Sequence, residues 1–241
     1  MIPNPRSQSP VVSAQNWALL ALMAVVTCFF SGCATTSGTS SYSSTAYMPT
    51  HANLDHVKVK VSLNSQMVYV EEDGRMLMVT PTTVGKAGFP THTGNFSVIA
   101  KNATKRSNTY GYWKNASGEA HPGKASASPG PGWTYVGYPL AFWIEFEPGY
   151  GFHEGPVWPV PRSHGCLHIH EAASAKLFQL VKIGTPVEIR NSFPEYSTYG
   201  AKAKRPTDYA DPDPAPALMM SPGFFTKTRD TVLLPSTPAA N

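Results

Sequence analysis

Residues 57–80, VKVKVSLNSQMVYVEEDGRMLMVT, settle the architecture of the folded part of this chain. Val57, Val59, Val61 and Leu63 alternate with polar residues, the period-two signature of a half-buried strand. Asn64-Ser65 supplies a turn, and Gln66 to Glu71 reads as a second strand. Asp73-Gly74 is a strong hairpin signal ahead of a third strand from Met76 to Thr80. Strands joined in sequence by tight turns form an antiparallel sheet, so the expected fold is mainly β, sandwich- or barrel-like.

Downstream, a further strand is expected over Asn95 to Ala100, and another over Tyr138 to Phe146. Leu140, Phe142, Ile144 and Phe146 would share one face of the latter. Glu171 to Val181 suits the main amphipathic helix, with Ala172, Ala175, Leu177, Phe178 and Val181 apolar. Gly184 ends it, and Pro186 to Ile189 closes as a strand. Between 101 and 137 the pattern breaks into Gly, Ser, Asn and Pro, and this stretch reads as a long loop insertion. It carries Lys101, Lys105, Arg106, Lys114 and Lys124 beside Tyr110, Tyr112, Trp113, Trp133 and Tyr135. A substrate-gripping lid and a surface insertion packed on the domain both fit. Residues 191–241 alternate prolines with polar residues and read as a disordered tail.

The other end of the chain carries targeting signals. Trp17 to Phe30 is an apolar run of 14 residues, which suits a signal-peptide core and is short for a membrane-spanning helix. Phe30-Ser31-Gly32-Cys33 resembles a bacterial lipobox, so residues 1–33 read as a lipoprotein signal peptide with Cys33 as the lipidated residue. An ordinary signal peptide cut nearby, or an uncleaved anchor, is the alternative. Residues 34–54, rich in Ser and Thr, read as a flexible tether, leaving a domain at 55–190. The expected location is the cell envelope, facing the periplasm and on the outer membrane in a Gram-negative cell. The net charge of +4 suits an anionic cell-wall polymer, and export argues against nucleic acid. No obligate protein partner is implied.

Export makes the cysteines informative. Cys28 would leave with the signal peptide and lipid would consume Cys33, so Cys166 remains without a disulfide partner. A lone thiol in an oxidising compartment is a liability unless it is buried or used. Cys166 lies in a Ser163-His164-Gly165-Cys166 loop, with His153 upstream. Thiol catalysis needs a thiolate, a base and oxyanion donors, and histidine titrates close enough to neutrality to serve as base and then acid. A glycine before the cysteine frees the local backbone for the oxyanion. Two other readings use the same residues. His164, Cys166, His168 and His170 would share a face on an extended strand and could hold zinc or copper. Alternatively, Cys166 is a packed thiol beside hydrogen-bonded histidines.

His153-x-Gly155, a nine-residue gap from Glu154 to Arg162, and Ser163-His164-Gly165-Cys166 together resemble the active-site signature of the L,D-transpeptidase catalytic domain, the YkuD-type fold. The likeness runs from Val57 to Ile189 and takes in Gln66, Val84-Gly85 and Thr93-Gly94-Asn95-Phe96. It implies a β-rich enzyme without metal or cofactor, with Cys166 as nucleophile and His153 as proton donor and acceptor. Ser163 and His164 would shape the loop and hold the imidazole, while the Gly165 and Cys166 amides would bind the oxyanion. The implied acyl donor is a peptidoglycan tetrapeptide stem, attacked at its third residue with loss of the terminal D-alanine. Two departures matter. The family's Thr-Pro-x-Gly turn is Thr91-His92-Thr93-Gly94 here, which costs local rigidity. His168 stands where the family usually has Arg, and a neutral imidazole cannot replace a charged fork for carboxylates. Arg162 or the basic 101–137 stretch are the alternative substrate anchors. Resolution of the thioester by water, giving a carboxypeptidase or amidase, and a non-catalytic wall-binding lipoprotein are the competing functions.

Overall fold

The computed structural model describes residues 45–46 and 52–226. Eleven strands form one continuous sheet system. They are β1 (Thr45–Ala46), β2 (Val57–Ser62), β3 (Met67–Glu72), β4 (Arg75–Thr83), β5 (Gly94–Ser97) and β6 (Ala100–Asn115), followed by β7 (Ala120–Lys124), β8 (Trp133–Glu147), β9 (Tyr150–Glu154), β10 (Leu167–Ile169) and β11 (Pro186–Arg190). The order is β5-β11-β2-β3-β4-β10-β9-β8-β6-β7, with β1 pairing β4 off this path. The expected opening strands are present. Asp73 and Gly74 both have positive φ, 48° and 82°, the mirror-image turn that matches strand twist.

β4 joins two halves of the sheet. It pairs with β3 from Arg75 to Pro81, then with β10 at Thr82 and Thr83. Between the halves lies a continuous core that includes Val59, Val61, Val70, Leu77, Ile144, Phe152, Leu167 and Ile189. Helix α1 (Glu171–Leu180) covers this core with Ala173, Leu177 and Leu180. Lys101 Nζ donates to the Phe178 and Val181 carbonyls at 2.6 and 2.5 Å, placing a cation at the negative end of the helix.

Three expectations need correction. The 101–137 segment is not a loop: β6 and β8 form a long antiparallel ladder, extended outward by β7. The ladder shifts register between Arg106 and Gly111, where β6 carries extra residues as a bulge. Residues 191–226 are ordered as a strap of α2 (Glu195–Thr198), α3 (Pro216–Met220) and three 3-10 turns. Phe193 and Phe225 anchor it by burial, and Arg106 donates to the Met219 and Ser221 carbonyls, each at 2.8 Å. The tether is shorter than residues 34–54, because β1 pairs with Met78–Val79 and both Ala52 and Leu54 pack on the core. The signal peptide, Cys33 and residues 227–241 lie outside the described residues. Among the described residues, no helix is long and apolar enough to cross a membrane.

Candidate active site

Parallel strands cannot be joined by a tight turn and need a long crossover. β9 and β10 are parallel neighbours, so the chain from Glu154 to Leu167 must leave the sheet and return, and this crossover carries Ser163 to Cys166. The register sets Leu167 beside Phe152 in the core and His168 beside His153 on the opposite face. Cys166 immediately precedes β10, next to Gly151. A strand spacing of ~4.8 Å and a rise of ~3.3 Å per residue put the Cys166 and His153 α-carbons about 8 Å apart, within side-chain reach.

Polar side chains hold the crossover in place. Ser163 Oγ donates to the Cys166 carbonyl at 2.6 Å and accepts from the Gly165 amide at 3.1 Å. Buried Thr91 donates to the Gly165 carbonyl at 2.8 Å and accepts from the Gly85 amide at 2.9 Å. Gln66 Nε2 donates to the Pro159 carbonyl at 2.9 Å, and Thr83 Oγ1 accepts from the Trp158 amide at 2.7 Å. Gly165 has φ +107°, and a Cβ there would meet the Tyr150 ring at 2.4 Å. Glycine is required on both counts. A Cβ at Gly155 would press within 3.3 Å of His168 Nδ1, which accounts for the glycine of the His-x-Gly pair.

The two imidazoles, His153 buried and His168 half-buried, are anchored alike. His153 Nδ1 lies 2.8 Å from the Glu154 carbonyl, and His168 Nδ1 lies 3.1 Å from the Pro156 carbonyl. A carbonyl only accepts, so each Nδ1 carries the proton and each Nε2 presents a lone pair. Burial, aided by the neighbouring His168, pushes the His153 pKa down to about 3. Burial lowers His168 in the same direction. The rings lie 4.8 Å apart, and Trp143 stacks on His153 at 6.1 Å. Burial also raises the Cys166 thiol, with a smaller push from the Glu145 carboxylate, and the Gly151 amide pulls the other way. The resting pair is therefore a neutral thiol and a neutral imidazole.

Several expected roles change. His164 does not hold the imidazole, since the Glu154 carbonyl does so. His164 is exposed and lies between Phe89 at 4.6 Å and Tyr110 at 5.0 Å. The Gly165 amide is occupied by Ser163, which leaves the Cys166 amide as the open donor of the loop. His168 is uncharged and turned toward Pro156. Arg162 is exposed and stacks over Trp158 at 4.5 Å. His170 caps α1 by accepting from the Ala172 amide at 3.1 Å, so His164, Cys166, His168 and His170 do not share a face. Nothing in the sequence places Thr91 or Tyr150 at the site, and it offers Tyr110 only as one aromatic of the 101–137 stretch. Their contacts arise from chain crossings between distant segments, which leave no local pattern.

A family model described as the L,D-transpeptidase catalytic domain matches residues 56–189. Similar solved structures include an L,D-transpeptidase from Stackebrandtia nassauensis, with 23% identity, TM-score 0.42, and coverage of 62% of this chain and 60% of that one. One from Mycobacterium smegmatis has 19% identity, TM-score 0.42, and coverage of 56% and 58%. The catalytic domain of an E. faecium L,D-transpeptidase has 24% identity, TM-score 0.40, and coverage of 58% and 100%. The chain thus spans about 60% of the length of the first two. No curated protein matches it.

Proposed function

Because the chain belongs to the L,D-transpeptidase catalytic domain family, we propose that it transfers acyl groups of peptidoglycan stem peptides through a thioester on Cys166. The observation that carries this reading is the parallel register of β9 and β10, which sets the thiol one pleat from an imidazole with its Nε2 lone pair available.

In this reading, Cys166 Sγ attacks the carbonyl carbon of the third stem residue while its proton passes to His153 Nε2. The thiol is held high and the imidazole low, so proton transfer accompanies bond formation rather than preceding it. The Cys166 amide donates to the oxyanion. Collapse breaks the peptide bond, and Nε2–H protonates the departing D-alanine amine. An acceptor amine then attacks the thioester and loses its proton to Nε2, which restores the thiol as sulfur departs. Ser163 and Thr91 act as positioning residues that hold the crossover. The leader extends the same reading to an envelope lipoprotein, anchored through Cys33 and facing the periplasm.

Intact-mass measurement after incubation with a carbapenem tests the nucleophile, because its strained carbonyl is an acyl donor that needs no wall peptide. A covalent adduct is expected on the wild type and not on Cys166→Ala. An unmodified wild type overturns the reading. With tetrapeptide stems, crosslinked dimers indicate transfer, whereas shortened tripeptides alone assign hydrolysis. Incorporation of labelled palmitate, lost in Cys33→Ala, tests the anchor.

A further inference from the structure

The imidazoles beside Cys166 are both neutral, so the catalytic pair offers no cation to a peptide carboxylate. Two lysines lie against the ring neighbours of His164, two residues before the thiol. The His164 ring is the centre of a three-ring column. Phe89 meets it edge-on at 4.6 Å with an interplanar angle of 73°, and Tyr110 stacks on it at 5.0 Å and 29°. Each outer ring carries a lysine. Lys86 Nζ lies 5.6 Å from the Phe89 centroid, and Lys124 Nζ lies 5.9 Å from that of Tyr110.

The two lysines come from separate parts of the fold. Lys86 sits on the segment that braces the crossover, donating its amide to the Ser163 carbonyl at 3.0 Å. Lys124 ends β7 and pairs with Tyr110 across the overhanging hairpin. Among the described residues, no carboxylate lies within ion-pair distance of either lysine, unlike Lys58, Lys60 and Lys182. Burial and then both lysines depress the pKa of His164, so the two ammonium groups act on the same ring. Of the other cations on the hairpin, Lys101 is engaged at the end of α1, Arg106 on the strap and Lys105 over the Trp143 ring at 5.6 Å, while Lys114 pairs with Thr134 further out along the ladder.

We propose that Lys86 and Lys124, set on either side of the Phe89-His164-Tyr110 column, clamp a carboxylate of the acyl-donor peptide. This rests on the reading that Cys166 takes its acyl group from a stem peptide. The carboxylate is either the C-terminal one or one carried along the stem. Lysine stems can follow a mobile peptide, and the aromatic column supports them beside the crossover. The hairpin thereby carries half of the clamp to the site.

Calorimetric binding to the Cys166→Ala protein removes turnover from the test. The probes are a tetrapeptide stem with free carboxylates, its C-terminal amide, and the stem amidated only at its side-chain carboxylates. The free acid should bind roughly fivefold more tightly than one of the amides, as two partly exposed charge pairs allow. The amide that loses affinity identifies the carboxylate. K86M/K124M should bind acid and amides equally, with its melting temperature unchanged. Lys86→Gln and Lys124→Gln singly should each remove part of the preference. Equal binding of acid and amides by the protein with both lysines overturns the clamp. So does a preference that survives K86M/K124M, or no binding of any probe. Carbapenem acylation of the wild type is scored separately. A protein that acylates but ignores carboxylates loses only the clamp, and one that never acylates loses the catalytic reading while binding still judges the clamp.

Discussion

The sheet that carries Cys166 and the hairpin that overhangs it are built of the same secondary structure and held by different forces. β2, β3 and β4 bury Val59, Val61, Val70 and Leu77 almost completely. Much of β6 and nearly all of β7 remain exposed or half-buried, and their order depends on the ladder itself and a few contacts at the edge. Those contacts are Lys101 against α1, Arg106 against the strap, and Tyr110 against His164. The first region is a close-packed floor beneath Cys166 and His153, and the second an exposed wall beside them, with fewer buried contacts to resist local opening.

The contrast between floor and wall is tested most severely at the floor. Cys166→Ala should abolish covalent acylation while leaving the melting curve unchanged, as read by intact mass and calorimetry. His153→Gln should lower kcat/KM by about 10³-fold, the scale of a positioned general base. It should also change the pH dependence of stability. The folded His153 pKa lies near 3, below its unfolded value of ~6.5, so the unfolded chain binds the extra proton. Wild-type stability should therefore be full above pH 6.5 and fall as pH drops toward 3. His168 contributes in the same direction. The Gln variant should lose less over that range in denaturant titrations. Next in size, Leu77→Ala should cost about 3 kcal/mol in the core. Trp113→Ala on the hairpin should cost under about 1 kcal/mol. Hydrogen exchange of β7 amides should correspondingly run well ahead of β3. If the Trp113 variant is as destabilised as the Leu77 variant, the hairpin is part of the cooperative core.

The same contrast governs what could be read from sequence. Period-two alternation records burial on one face and marks β2, while the turns at Asn64-Ser65 and Asp73-Gly74 delimit β3 and β4, which are buried on both faces. β6 and β7 have little core on either face, and Gly, Ser and Asn there looked like loop. The strap was missed for a related reason. Its anchors are isolated residues, Phe193 and Phe225, and backbone carbonyls that accept from Arg106. Neither produces periodicity. At the site, residue types point to Cys166, His153 and Ser163, which the β9–β10 pairing and the crossover gather in one place. The glycine at 165 reads as freeing its amide for an oxyanion, yet Ser163, two residues earlier, claims that amide in a local turn. His164 reads as inward, while Phe89 and Tyr110, from distant segments, hold it outward.

The raised thiol has a consequence for durability. Oxidation by peroxide and exchange with disulfides both begin with attack by the thiolate, so a sulfur whose pKa is raised by burial is slow in both at neutral pH. Iodoacetamide should accordingly modify Cys166 slowly at pH 7, with a rate still climbing above pH 9. For a solitary cysteine with no second thiol among the described residues to repair it through a disulfide, this reticence is protection.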